Sequence, residues 1–176
     1  DVTLHSLRSQ MGIMLQDSFV FSGTIADNIR YGRLDASNED IVRVSKLLCA
    51  DEFISKLPHG YETIVKERGG GLSQGQKQLI AFARTLLADP KILVLDEATS
   101  SIDTSTEQLL QRGINLLLEG RTSFIIAHRL STIKSCTRIM YVDGGQIKES
   151  GSHEELMAKK GYYYDLYMAQ YRKDET

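Results

Sequence analysis

Only two of the 176 residues are cysteine, Cys49 and Cys136. They are too few and too far apart for a CxxC pair or a disulfide framework, so a reducing compartment is the default. The four histidines, His5, His59, His128 and His153, share no metal-ligand spacing with one another or with the cysteines, and no structural zinc is expected. Aliphatic runs stop at about four residues, against the ~20 needed to span a bilayer. Charge of one sign is also lacking: a formal net charge of −2 gives no global attraction to nucleic acid or an anionic membrane, and no nucleic-acid partner is expected. The chain opens Asp1-Val2-Thr3-Leu4-His5, without an initiating Met, a basic start or an apolar core. No signal peptide is expected, and the opening reads as the interior of a longer protein.

What is present is ordinary globular composition, 41% hydrophobic and 25% charged, enough for one sizeable core. The stretch that organises it is Lys91 to Ser100. Ile92-Leu93-Val94-Leu95 fits a strand covered on both faces, as in a parallel sheet with helices on either side. It ends in Asp96-Glu97, where an α/β sheet opens into its ligand crevice. A hard cation such as Mg²⁺ prefers carboxylate oxygen, and a second acid beside the first is placed to orient or deprotonate an attacking water.

Two further segments read as strands of the same sheet with polar residues at their carboxyl ends. Met11 to Leu15 precedes Gln16, and Thr122 to Ala127 precedes His128. Parallel strands would set Gln16, Asp96, Glu97 and His128 on one edge. Between the first two strands the chain reads as helical from about residue 24 to 88, with no strand pattern. Thr24-x-x-Asp27 and Ser37-x-x-Asp40 are capping boxes, and Ile41, Val44, Leu47 and Leu48 share a face. A helix is expected from Asp51 to Leu57, broken by Pro58. Phe19 and Phe21 lie in a loop after the first strand, where core packing is the simplest role.

Glu67 to Gln76 is a glycine-dense turn running into a helix through Leu87. Ser73 with Gln76 three residues on is a capping box, which makes Ser73 the N-cap and turns the next amides outward, a ready phosphate site. The helix is expected to bury Leu79, Ala83, Leu86 and Leu87 and to stop at Asp89-Pro90. Gly70-x-x-x-x-Gly75 has the glycine spacing of a P-loop but fails as one: Lys77 arrives a residue late, Gln78 replaces the Mg²⁺-binding hydroxyl, and no buried strand precedes it. Beyond the acids, Ser101-Ile102-Asp103 makes a turn into a helix carrying Leu109, Leu110, Ile114, Leu117 and Leu118. Arg138 to Ser150 reads as a hairpin about Asp143-Gly144-Gly145. Ser152-x-x-Glu155 caps a helix, and Tyr162 to Tyr171 forms a last one whose tyrosines pack on the body.

Together these motifs resemble the nucleotide-binding domain of an ATP-binding cassette (ABC) transporter, over essentially the whole chain. Gln16 matches the family's Q-loop glutamine, Leu72-Ser73-Gln74-Gly75-Gln76 its signature, Ile92 to Glu97 its Walker B strand and catalytic glutamate, Ser101-Ile102-Asp103 its D-loop and His128 its switch histidine. Phe21-x-Gly23-Thr24-Ile25-x-Asp27-Asn28-Ile29 and Glu67-Arg68-Gly69 are closest to exporter-type cassettes. Gln74 stands where a Gly is more usual and Ile102 where a Leu is, both small departures.

The resemblance implies an α/β, P-loop NTPase-like parallel sheet flanked by helices, with residues 1–16 and 89–176 as the core subdomain and 17–88 as a helical signature subdomain. It implies ATP and Mg²⁺. Glu97 and His128 would be catalytic, and Gln16, Ser73, Gly75, Gln76, Asp96, Ser101 and Asp103 would bind nucleotide. Asp96 and Gln16 would hold the metal, partly through water. The expected partners are a second nucleotide-binding domain, head to tail, and the coupling helices of a transmembrane domain, at the cytoplasmic face of a membrane. The family's Walker A loop and adenine-stacking aromatic would precede Gln16 and are absent, so the chain is expected to be a C-terminal portion, inactive by itself and with apolar sheet faces exposed. A soluble cassette ATPase of translation or chromosome maintenance, and a truncated cassette acting only in trans, are the alternatives.

Overall fold

The computed structural model describes residues 2–15, 19–66, 69–96, 104–127 and 130–174. They fall into two compact units, Asp1–Ile126 and Ala127–Thr176.

The first unit is built on three parallel strands, β1 (Met11–Met14), β4 (Ile92–Asp96) and β5 (Thr122–Ile126), in the order β1-β4-β5. Ile13, Val94 and Phe124 stand in one cross-strand row and Met14, Leu95 and Ile125 in the next. The three carboxyl ends therefore share one edge, as the sequence pattern requires. Side chains alternate across the pleat, and the expectation that β4 is covered on both faces holds for one face only. Met14, Leu93 and Leu95 join the main core. On the other face Ile13, Phe124 and Ile126 are 62%, 51% and 56% exposed, because no described element buries that row.

The covering layer comes from α5 (Gln74–Ala88) and α6 (Thr104–Leu118). The expected apolar stripe on α5 is too narrow: Ile80, Ala81 and Phe82 are buried as well as Leu79, Ala83 and Leu87, while Leu86 is half-buried. The helix is surrounded, packing on α2 (Ile25–Arg30), α3 (Asn38–Leu47), α6 and β1. Capping boxes at Thr24 and Ser37 start α2 and α3 as expected. A short α1 (Leu4–Arg8), capped by the Thr3 hydroxyl at 3.1 Å from the Ser6 amide, was not legible as a helix.

Two expectations for residues 24 to 88 are corrected. The helix from Asp51 stops at Ile54 (α4, Asp51–Ile54). Ser55 Oγ takes the Asp51 carbonyl at 2.7 Å, and the next amides bond three residues back, Lys56 to Phe53 and Leu57 to Ile54, so the chain tightens into turns. The stretch also contains strands: β2 (Gly23–Thr24) pairs antiparallel with β3 (Ile64–Val65). Two-residue strands are too short to show alternation.

In the second unit β6 (Ile139–Asp143) and β7 (Gln146–Gly151) form the expected hairpin, with Gly144 and Gly145 both at positive φ, 54° and 73°, as a type I′ turn requires. A small core of Leu156, Tyr163 and Tyr167 joins α7 (Leu130–Lys134), α8 (His153–Lys159) and α9 (Tyr162–Asp174) to the hairpin. The buried Glu149 carboxylate accepts the Tyr163 amide at 3.0 Å and caps α9. Tyr163 and Tyr167 pack on the body as expected, whereas Tyr162 and Tyr171 are exposed. Among the described residues no helix is long and apolar enough to cross a membrane.

Candidate functional site

The most complete chemistry sits at the start of α5. Gly69 and Gly71, at φ 73° and 94°, turn the chain out of β3 into the helix. The stem of Lys77 lies over Gly69, where an added Cβ would come 2.7 Å from Lys77 Cε. Lys77 is therefore packed as an aliphatic cover, in keeping with the failure of the P-loop spacing.

Ser73 Oγ accepts the Gln76 amide at 3.2 Å, and the Ser73 amide donates to Gln76 Oε1 at 2.9 Å. Ser73 has spent a lone pair and keeps its proton to donate. The first i−4 bond of the helix runs from the Lys77 amide to the Ser73 carbonyl at 3.0 Å, so the amides of Gln74 and Gly75 precede the ladder. Gln76 orients the turn, its side-chain oxygen being occupied. The first turns of α2, α3 and α8 carry Asp27, Glu39 with Asp40, and Glu154 with Glu155, but that of α5 carries no acid. Its dipole end is left for an outside anion, and a phosphate oxygen suits a hydroxyl and two amides.

Asp96 ends β4, in register with Ile126 of β5. Among the described residues no group of three His, Cys, Asp or Glu side chains is arranged to hold a metal. Asp96 places a carboxylate at the end of the central strand. Gln16, Glu97, Ser101, Asp103 and His128 lie outside the described residues.

Sequence reasoning missed a polar hub between α2 and α5. Asn28, buried, accepts the Phe21 amide at 2.8 Å and donates to the carbonyls of Phe21 and Thr24, both at 3.0 Å. Arg84 donates to the carbonyls of Asn28 at 2.9 Å and Phe19 at 3.1 Å and to Asn28 Oδ1 at 3.2 Å. Its guanidinium also lies over the rings of Phe21 and Tyr31 at 5.1 and 5.8 Å. Burial pushes the Arg84 guanidinium below its ordinary pKa, with Tyr31 acting the other way, and the group stays charged. The available signal was an arginine inside the mostly apolar second half of the helix, residues 79–88.

The chain has matching counterparts among known proteins. An ABC transporter family profile matches residues 1–100. The chain is 57% identical over 171 residues to the uncharacterised ABC transporter ATP-binding protein YknV of Bacillus subtilis, covering 97% of this chain and 28% of that protein. It is 52% identical over 165 residues to a fatty acid ABC transporter ATP-binding/permease protein of Mycobacterium tuberculosis, covering 94% of this chain and 26% of that one. A solved structure of a bacterial Atm1-family ABC exporter with ATP bound superposes with a TM-score of 0.86 at 44% identity, over 96% of this chain and 30% of that one. The chain thus spans little more than a quarter of the relatives it matches. With the parallel sheet, the capped turn at Ser73 and the Asp96 strand in place, the family match is decisive: this chain belongs to the ABC transporters.

Proposed function

We propose that this chain is part of the ATP-hydrolysing domain of an ABC exporter, working as one of two cassettes at the cytoplasmic face of a membrane. The observation that carries the reading is the first turn of α5, where Ser73 holds a free proton beside two unladdered amides and no acid. Ser73 and Gly75 cap an ATP held by the second cassette, and Gln76 holds the turn in shape. Residues 1–16 and 89–176 form the core subdomain, and 17–88 the helical one that presents the turn.

The cis half of the site is assigned by resemblance. Asp96 and Gln16 would hold Mg²⁺, partly through water, and the ion would supply charge neutralisation for the transferring phosphoryl group. Glu97 takes the proton of the attacking water, His128 and Gln16 contact the γ-phosphate region, and Ser101 and Asp103 bind the nucleotide. The transmembrane coupling helices carry the resulting movement to the exported substrate. Because phosphoryl transfer is mainly positioning and charge stabilisation, these residues turn over ATP only where a phosphate cradle holds it, and residues 1–176 by themselves do not supply one.

Two assays test this. Purified chain with Mg²⁺-ATP is expected to show no turnover that Glu97→Gln abolishes, and such turnover would refute inactivity of the chain alone. In the complete transporter Ser73→Arg in this cassette is expected to remove ATPase activity, and wild-type turnover would overturn the assignment of the α5 turn.

A further inference from the structure

The Asn28–Arg84 hub has no part in the reaction assigned above, yet it is the most heavily bonded polar group on the signature helix. Arg84 lies about three turns along α5 from Ser73. We infer that Arg84 is a positioning residue: by clamping the loop from Phe19 to Gly23 and the end of α2 onto α5, it makes the aromatic cluster and the Ser73 turn one rigid body.

Several observations point the same way. The three oxygens that Arg84 contacts belong to two segments remote in sequence from α5, Phe19 in the loop and Asn28 in α2. A flat guanidinium fork reaches them together, and a lysine ammonium does not. Asn28 passes the restraint on by holding both the amide and the carbonyl of Phe21. The backbone is clamped too: a Cβ on Gly32, just past α2, would come 2.0 Å from the Arg84 carbonyl oxygen. Among the described residues no carboxylate pairs with Arg84. The guanidinium spends its donors on oxygens of the loop and α2, so its charge fixes where those segments sit on α5. On the outer side the Phe21 ring meets Phe19 edge-on and Tyr31 at a tilt, and all three are exposed. A displacement of these rings is not absorbed locally, because α5 is close-packed around its circumference, and it arrives at Ser73.

This inference rests on the proposed function, and a double-mutant cycle in the complete transporter separates the two. ATPase kcat and KM for ATP are measured for Arg84→Lys, Ser73→Ala and the double variant, with thermal melting alongside. Ser73→Ala is expected to lower kcat about tenfold or more, and an unchanged kcat would refute the role of Ser73 and this inference with it. Arg84→Lys is expected to lower kcat severalfold with KM within about twofold, and to have no further effect in the Ser73→Ala background. The same fractional loss in both backgrounds would mean that Arg84 is merely structural and would overturn the relay. If Arg84→Lys does not fold, Phe21→Leu removes the ring beneath the guanidinium and leaves the hydrogen bonds. A kcat loss of about two- to threefold that vanishes with Ser73→Ala supports the relay. A loss that persists there, or no loss at all, overturns it.

Discussion

Arg121 reaches the Asp89 carboxylate at 2.6 Å and turns its remaining donors on backbone carbonyls, Pro90 at 3.0 Å and Leu117 at 2.9 Å. One side chain thus closes the end of α6 and fixes the turn that launches β4. The pair is unequal, with 10% of the arginine side chain exposed against 67% of the aspartate. Arg121→Ala is expected to cost about 2–3 kcal/mol, because buried carbonyls lose a charged donor. Asp89→Asn is expected to cost about 0.5 kcal/mol, the ordinary worth of an exposed ion pair. Denaturant unfolding of both variants checks the ratio, and equal losses would mean that the ion pair carries the effect.

Gly32 makes a second sharp test. An added methyl would meet a backbone oxygen, which has no rotamer to move into, so α2 and α5 must separate. Gly32→Ala is expected to destabilise by about 3 kcal/mol, lowering Tm by roughly 6–12 °C for a chain of this size. A melting point within 2 °C of the parent, roughly 1 kcal/mol or less, would refute the close approach.

Alkaline pH probes two tyrosines. Burial is the main reason that Tyr61 and Tyr163 are each pushed up to about 12, from an ordinary 10.0. Asp51, which accepts the Tyr61 hydroxyl at 2.8 Å, and Tyr167 beside Tyr163 act in the same direction. A raised folded-state pKa favours the neutral phenol in the native protein, so this stabilisation is complete below pH 10 and is lost as pH climbs from 10 to 12, where unfolded tyrosines ionise first. Unfolding free energies measured across that window are expected to fall, with a shallower slope for Tyr61→Phe and for Tyr163→Phe. Tyrosinate absorbance should show a late-titrating fraction.

The open sheet face predicts a change of sign with context. Thr at Ile13 and Phe124 is expected to reduce binding of a hydrophobic dye and raise the soluble yield of this chain, with unfolding free energy changed by no more than about 0.5 kcal/mol. In a polypeptide of the relatives' length, where further residues are available to cover the row, the same pair is expected to destabilise by about 2 kcal/mol or more. Equal effects in both would mean that the face is never covered.

The sheet, the capped start of α5 and the hairpin were legible because each is written in local chemistry: aliphatic runs ending in polar residues, a Ser-x-x-Gln cap, two glycines in a turn. The outer row of the sheet was not, since Val94 reads the same whether its neighbours are covered or bare. Nor was the end of α4 at Ile54, where Ser55 competes for a carbonyl in a sequence that still looks helical. The hub of Asn28 and Arg84 joins residues 56 positions apart, and such a link is fixed by tertiary packing alone. At the candidate site, Ser73 and Gln76 meet as their spacing requires and Asp96 stands at its strand end, while Gln16, Glu97, Ser101, Asp103 and His128 fall outside the described residues.

The strand order puts β4 between two partners, so its amides and carbonyls are bonded on both sides, while among the described residues β1 and β5 each pair on one side. Edge strands fray first, and a doubly bonded strand opens only with the unit as a whole. In hydrogen exchange the amides from Leu93 to Leu95 should be among the last of this unit to exchange. The carboxylate of Asp96 therefore hangs from the slowest-opening segment and keeps its place through fluctuations that release the strands beside it.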